Sequence, residues 1–186
     1  MKLFIGLGNP GSQYKLTRHN IGFIVLDYLV ECYGLQGHGF SKKFDGEFSE
    51  VKIGSEKIML FKPMTYMNKS GIPSSKLASF LKIPLENICV IHDDLDLSPF
   101  RIKVKEGGGS GGHNGLKSLD QHIGKNYKRI RIGIGKSPFG NSSDHVLQNF
   151  FNDELEQLED FLPKISKHME SFWEKGMDRF QSDFYI

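Results

Sequence analysis

The sequence predicts a single α/β domain, on three observations. Its 186 residues suit one domain with a sizeable core. Short apolar runs of strand length recur along the chain, at residues 2–7 and 88–91 for example. Longer segments with apolar residues at three- and four-residue spacing lie at about residues 20–33 and 153–175. No repeat, low-complexity tail or linker interrupts residues 1–186, so one domain is expected to span them.

The totals narrow the class of protein. Apolar residues make up 38% and charged residues 25%, ordinary values for a globular protein, and no apolar run reaches membrane-spanning length. Gly6, Gly8 and Pro10 cut the N-terminal apolar run too short for a signal peptide. Two cysteines, Cys32 and Cys89, are too few for a disulfide framework or a cysteine metal site. A cytoplasmic protein with two buried, reduced thiols is the expectation. The net charge is only +2, but residues 151–186 hold nine acids against four bases, a net of −5. Residues 101–131 hold eight bases and two acids, which points to a polyanionic partner.

Residues 2–7 read as a buried strand closed by Gly8-Asn9-Pro10-Gly11. Gly6 to Gly11 formally matches G-x-G-x-x-G, but Pro10 sits inside the motif. Helical periodicity also begins only near His19 or Asn20, so a dinucleotide fold and a nucleotide-dependent oxidoreductase are rejected. That helix runs to Tyr33, with Ile21, Ile24, Val25, Tyr28, Leu29 and Cys32 as its stripe. His19 falls at its start, where the helix dipole is expected to lower the imidazole pKa and keep it neutral.

Residues 44–53 and 57–61 read as a hairpin around Gly54-Ser55-Glu56. Ser70 is the expected cap of a helix with Pro73 in its first turn and Leu77, Phe80 and Leu81 on its apolar face. Residues 88–91 are a central strand running into His92-Asp93-Asp94-Leu95-Asp96. Carboxylates after a buried strand need partners. A bare Asp-Asp-x-Asp is a weak Mg²⁺ signal, and a charged turn explains part of it. Arg101, Lys103 and Lys105 alternate with apolar residues, and so do Arg129 and Arg131, which places each basic set on one strand face. Two such rows suit phosphate contacts.

Between the rows, residues 107–116 read Gly-Gly-Gly-Ser-Gly-Gly-His-Asn-Gly-Leu, too rich in glycine for helix or strand. A linker has no need of His113 and Asn114 beside a helix start, so a ligand-facing loop is the reading. Residues 136–143 read as a further loop. The last helix carries Leu155, Leu158, Leu162, Ile165, Met169 and Phe172 as its stripe, with a kink expected at Pro163 and Trp173 read as a packing residue.

Asn9, Asn68 and Asp93 thus follow three separate strand-like runs, where open α/β sheets bind ligands. With His19, His113 and Asn114 they offer a base, an orienting carboxylate and amide donors. That set fits water-mediated acyl hydrolysis, and no nucleophile elbow is present. The motif Gly6-Leu7-Gly8-Asn9-Pro10-Gly11 with Tyr14 and Thr17-Arg18-His19-Asn20 opens a series of blocks. Lys62-Pro63-x-Thr65-Tyr66-Met67-Asn68-x-Ser70-Gly71, His92-Asp93-Asp94-Leu95-Asp96, Gly111-Gly112-His113-Asn114-Gly115-Leu116 and Arg131-Ile132-Gly133-Ile134-Gly135 follow in order. Together they resemble the bacterial peptidyl-tRNA hydrolase family over most of the chain.

The resemblance implies a single α/β domain with a mixed twisted β-sheet flanked by helices. It also implies a monomeric cytoplasmic enzyme, without metal or other cofactor, that cleaves the ester joining a peptide to the ribose of tRNA. By position, the family's catalytic base falls on His19, the aspartate orienting it on Asp93, and the amide placing the carbonyl or water on Asn9. Asn68 and Asn114 match substrate-binding amides, and Lys105 and Arg131 match a clamp for the tRNA 5′-phosphate. His113 and Met67 are expected to line the groove, with Tyr14 supporting it. Ser98-Pro99-Phe100 departs from the family's proline-glycine turn, and the tail at residues 176–181 is a variant ending. A binding module on the same fold is the alternative, separable by an assay for tRNA release.

Overall fold

A computed structural model describes residues 1–34 and 39–186. Among the described residues the strands are β1 (Lys2–Gly6), β2 (Ser41–Lys43), β3 (Gly46–Ile53), β4 (Glu56–Pro63), β5 (Ile88–Asp94), β6 (Ile102–Glu106) and β7 (Lys128–Gly133). The helices are α1 (Ile21–Tyr33), α2 (Gly71–Phe80), α3 (Asn114–Ile123), α4 (Ser142–Leu147), α5 (Asn152–Glu174) and α6 (Met177–Phe184). The strands make one mixed sheet in the order β2-β3-β4-β1-β5-β7-β6. β4, β1, β5 and β7 run parallel, while β2, β3 and β6 are antiparallel additions at the edges.

The parallel centre follows from its composition. Leu3, Phe4 and Ile5 of β1 and Ile88 to Ile91 of β5 are wholly buried, because helices cover both faces. On one face Phe4, Cys89, Ile91, Ile130 and Ile132 meet Leu26 of α1, Ile165 and Phe172 of α5, and Phe180 of α6. On the other, Leu3, Ile5 and Val90 meet Leu77 of α2 and Leu116 and Leu119 of α3. Each fully buried side chain of this kind contributes about 1.5–3 kcal/mol, which is what holds the layers together. β1 lies between β4 and β5, so the carboxyl edge of the sheet opens at its centre, where ligands bind in open α/β sheets.

The first crossing is tight. A Cβ on Gly22 would lie 2.4 Å from the carbonyl oxygen of Ile91 and 2.4 Å from the amide nitrogen of Leu7. Glycine at this position lets α1 seat directly on β1 and β5, and so brings the turn before α1 over the end of β5.

Several elements differ from expectation. Ile21, Val25 and Leu29 of the expected α1 stripe are buried, but the buried surface continues through Gly22, Phe23 and Leu26, and Cys32 lies outside it. The helix is buried around most of its N-terminal half, so spacing alone does not select its face. Cys32 is exposed on the outer side and only Cys89 is buried, which corrects the expectation of two buried thiols. Ser70 does not cap α2 with its side chain; its Oγ donates to the carbonyl of Met67, and the Gly71 N–H finds Ser118 Oγ at 2.9 Å instead. Phe80 is 60% exposed and packs at a tilt on Phe44 instead of joining the core. Helix α5 continues through Pro163 without a break, and Trp173 packs against Phe4 and Phe172. The variant turn places Phe100 at φ 60°, the left-handed region a glycine would fill, and its ring packs on Phe150 and Phe161.

Candidate active site

His19 sits in a 3-10 turn, Arg18–Asn20, that leads into α1. Both neighbours of His19 pin this turn. Arg18 is buried and makes a two-pronged ion pair with Glu154 of α5, at 3.1 and 2.5 Å, and donates to the carbonyl of His145. Asn20 exchanges two hydrogen bonds with the backbone of Asn9, each 2.9 Å long. The loop after β1 and the entry to α1 are therefore one rigid unit, and His19 has little freedom to leave it.

Asp93, near the end of β5, carries two imidazoles. Its Oδ2 lies 2.8 Å from His19 Nδ1 and its Oδ1 lies 2.8 Å from His113 Nε2. His113 caps α3, its Nδ1 accepting the N–H groups of Gly115 and Leu116 at 3.1 and 3.4 Å. That nitrogen therefore carries no proton, and His113 donates from Nε2 to Asp93. His19 likewise donates from Nδ1, which leaves its Nε2 turned to the cleft. The imidazole rings of His19 and His113 are 4.8 Å apart.

Burial opposes the charge on Asp93, but the two histidines and their hydrogen bonds hold the carboxyl well below its ordinary range. Burial also opposes a charged His19, yet the charge and hydrogen bond of Asp93 prevail and raise its pKa. This corrects the expectation of a lowered value: a carboxylate at 2.8 Å outweighs the dipole of the following helix. His92, behind Asp93, is driven down to about 3, by burial and then by His113, and donates from Nδ1 to the Asp93 carbonyl at 2.7 Å.

The same cleft, about 560 Å³, has a basic wall. In the antiparallel pair of β6 and β7, Lys103 faces Arg131 and Lys105 faces Arg129, so four cations share one sheet face. Arg101 does not join them; it precedes β6 and stacks on Tyr185. Arg129 is buried and serves the glycine loop, donating to the carbonyls of Gly109 and Gly108 at 2.7 and 3.1 Å. Of the other three, Lys105 and Arg131 line the cleft and Lys103 does not. Partial burial, then the charges of Arg129 and Arg131, hold Lys105 below its ordinary pKa. The three acids at and just past the end of β5 all have partners: Asp93 the histidines, Asp94 Arg131, and Asp96 Lys136.

His19, Asp93, His113, Asn114, Lys105 and Arg131 line this one cleft. Asn9 is tied to it through Asn20, and its Oδ1 accepts the Met67 N–H at 2.8 Å, leaving its NH₂ as the donating end. Met67 is 5% exposed and belongs to the core under α3, where a Cβ on Gly115 would meet its sulfur at 2.6 Å. Asn68 is exposed on the turn Met67–Lys69, and Tyr14 is half-buried, tied by its carbonyl to Thr17 Oγ1. Neither of these two lines the cleft. Sequence reasoning missed Asn20, Glu154 and the anchoring role of Arg129. Only Asn20 had a local signal, standing next to His19.

His19, Asp93 and His113 also have the residue types of a metal-binding set, with donor atoms within 4.8 Å of one another. Their facing atoms, however, are joined by N–H···O bonds, and a cation between them would have to displace both protons.

The fold and cleft define an α/β protein that carries, at the carboxyl edge of its sheet, a carboxylate-held imidazole beside a cationic strand face. The family model described as peptidyl-tRNA hydrolase matches residues 3–185. The peptidyl-tRNA hydrolase of Wolbachia sp. subsp. Brugia malayi (strain TRS) is 51% identical over 168 residues, covering 90% of this chain and 88% of that protein. The Rickettsia canadensis peptidyl-tRNA hydrolase is 45% identical over 184 residues, covering 98% of each. A crystal structure of peptidyl-tRNA hydrolase from Acinetobacter baumannii superposes with a TM-score of 0.90 at 35% identity, over 99% of this chain and 94% of that one. The chain belongs to the peptidyl-tRNA hydrolase family, a family of carboxylic ester hydrolases.

Proposed function

We propose that the protein hydrolyses the ester between a peptide and the 3′-terminal ribose of tRNA, with His19 as general base. The observation that carries this is the 2.8 Å bond from His19 Nδ1 to Asp93, which leaves Nε2 open to the cleft. Water gives its proton to Nε2 as its oxygen attacks the ester carbonyl. The NH₂ group of Asn9 and nearby donors stabilise the oxyanion. The carbonyl–ribose bond then breaks, and His19 returns the proton to the leaving ribose oxygen. The products are a peptide acid and free tRNA.

In this reading Asp93 holds His19 in the right tautomer, and His113 occupies its second oxygen. Asn114 binds the substrate within the cleft and Asn68 meets it from the exposed turn outside, with Tyr14 and Met67 supporting the groove. Lys105 and Arg131 take the 5′-phosphate, as their shared sheet face suits. The enzyme works as a cytoplasmic monomer without a metal ion. Among the described residues no helix is long and apolar enough to cross a membrane.

Release of free tRNA from N-blocked aminoacyl-tRNA, with and without a chelator, tests the proposal. Release is expected in both, and His19→Ala should lower it about 10²–10⁴-fold, the usual contribution of a general base. No release by the parent would favour a binding module. Loss on chelation would turn the histidine cluster into a metal site.

A further inference from the structure

Arg131 meets Asp94 through one nitrogen. Its Nε lies 2.8 Å from Asp94 Oδ2, while Oδ1 of the same carboxylate accepts the Asp96 N–H at 2.8 Å. Asp94 is itself fixed at the end of β5: it pairs with Gly133 of β7, and its carbonyl accepts from Ile134 at 3.0 Å. The side chains of Arg131 and Asp94 are 22% and 14% exposed, so the contact is better shielded than a surface ion pair. The other charges on this sheet face have one sign. Lys103 is the register partner of Arg131, and Lys105 and Arg129 form the next pair but one along the strands. A guanidinium among cations is pushed toward solvent unless a counter-charge holds it. With Nε its only hydrogen-bonding nitrogen among the described residues, Arg131 keeps its two Nη groups as a fork, the geometry that grips phosphate through parallel N–H bonds.

We infer that Asp94 is a positioning residue of the phosphate subsite: it holds Arg131 by Nε so that the Nη fork, with Lys105, selects a terminal phosphate on the RNA. This rests on the proposed reading of Lys105 and Arg131 as the 5′-phosphate clamp. Charge alone predicts the opposite effect, since a carboxylate beside a phosphate repels it, and a dianion more than a monoanion. Positioning and repulsion therefore give opposite signs when Asp94 is neutralised.

The test compares kcat/KM for N-blocked aminoacyl-tRNA carrying a 5′-phosphate with that for the same tRNA after phosphatase treatment. Arg131→Ala should bring the ratio close to one. Asp94→Asn, with one acceptor oxygen where the carboxylate has two, should lower the ratio about tenfold, mainly through KM. Asp94→Ser can still accept the Asp96 N–H but cannot reach Arg131, and should show the same fall. Asp94→Glu, which keeps the charge, should recover part of the ratio. A ratio that stays at the parental value or rises in both neutral variants, while Arg131→Ala lowers it, overturns the inference and leaves the clamp reading intact. An equal loss in the glutamate variant also overturns it, because packing rather than the carboxylate would then be responsible. A ratio that Arg131→Ala leaves unchanged removes the clamp reading and the inference with it.

Discussion

Asp93 divides one carboxylate between two imidazoles, and the pH behaviour of the site follows from that sharing. Burial works against a charged His19, but Asp93 lifts its pKa above the ordinary 6.5. As a base, His19 acts only when neutral, so kcat/KM should climb with pH and level off above a midpoint higher than 6.5. Asp93→Asn removes the charge and keeps the burial. The midpoint should then fall below 6.5, with a rate loss of about 10²–10⁴. A pH–rate profile of both proteins measures this, and an unmoved midpoint would remove Asp93 from its role. Stability has the reverse sign. The raised value of His19 gives a contribution that is complete below pH 6.5 and fades as pH rises through the folded value. The depressed Asp93 contributes above its unfolded value of 3.8 and loses that contribution as pH falls through the folded one. The proposed active form, with His19 neutral, is thus the one in which the His19–Asp93 bond stabilises the fold least.

At the scale of elements, the closeness of α1 to the sheet decides where His19 lies. Gly22→Ala would push a methyl group to 2.4 Å from the Ile91 carbonyl oxygen and the Leu7 nitrogen. Both obstacles are backbone, so the helix must move, at a cost of about 1–3 kcal/mol or more. Denaturant unfolding should show this loss together with reduced turnover, because the turn bearing His19 moves with α1. Retained stability and turnover would mean that the close contact is dispensable. The long elements were legible in the sequence for a physical reason: β1 and β5 are buried on both faces, and α5 has one wet face, so their patterns are strong. The short ones were not. β2 and β3 turn through Phe44 and Asp45, both at positive φ although neither is a glycine. Helix α6 reveals its purpose only in three dimensions: Gln181 and Tyr185 satisfy the outer edge of β6 through the Val104 and Ile102 backbone. Among the site residues, Asp93 was legible as a charge needing a partner, whereas its bond to His113 depends on how the glycine loop folds back.

Over the whole molecule, charge is sorted by layer. The acidic C-terminal segment, net −5 over residues 151–186, includes α5, which covers the face of the sheet lined by Ile130 and Ile132. The basic residues of β6 and β7 alternate with those isoleucines and so stand on the opposite face, which opens into the cleft. Sequence alternation showed the cationic row but counted Arg129 among its contacts, although that side chain is 1% exposed and committed to loop carbonyls. Salt should therefore weaken tRNA binding through few residues. Log Kd against log salt should be linear, with a slope of about 0.7–0.9 for each phosphate neutralised. Lys105→Ala should lower that slope by about one and weaken binding to all tRNAs alike, while turnover at saturating substrate stays near the parental value. Arg129→Ala should act differently. It frees the Gly108 and Gly109 carbonyls, so it should cost stability and turnover as the loop bearing His113 loosens. Filter binding across salt concentrations, alongside thermal unfolding, separates the two. If Arg129→Ala changed only the salt slope, it would be a phosphate contact and the division of labour on β7 would be wrong. The division follows from register: the two arginines share a face but not a depth, one under the glycine loop and the other at the mouth of the cleft.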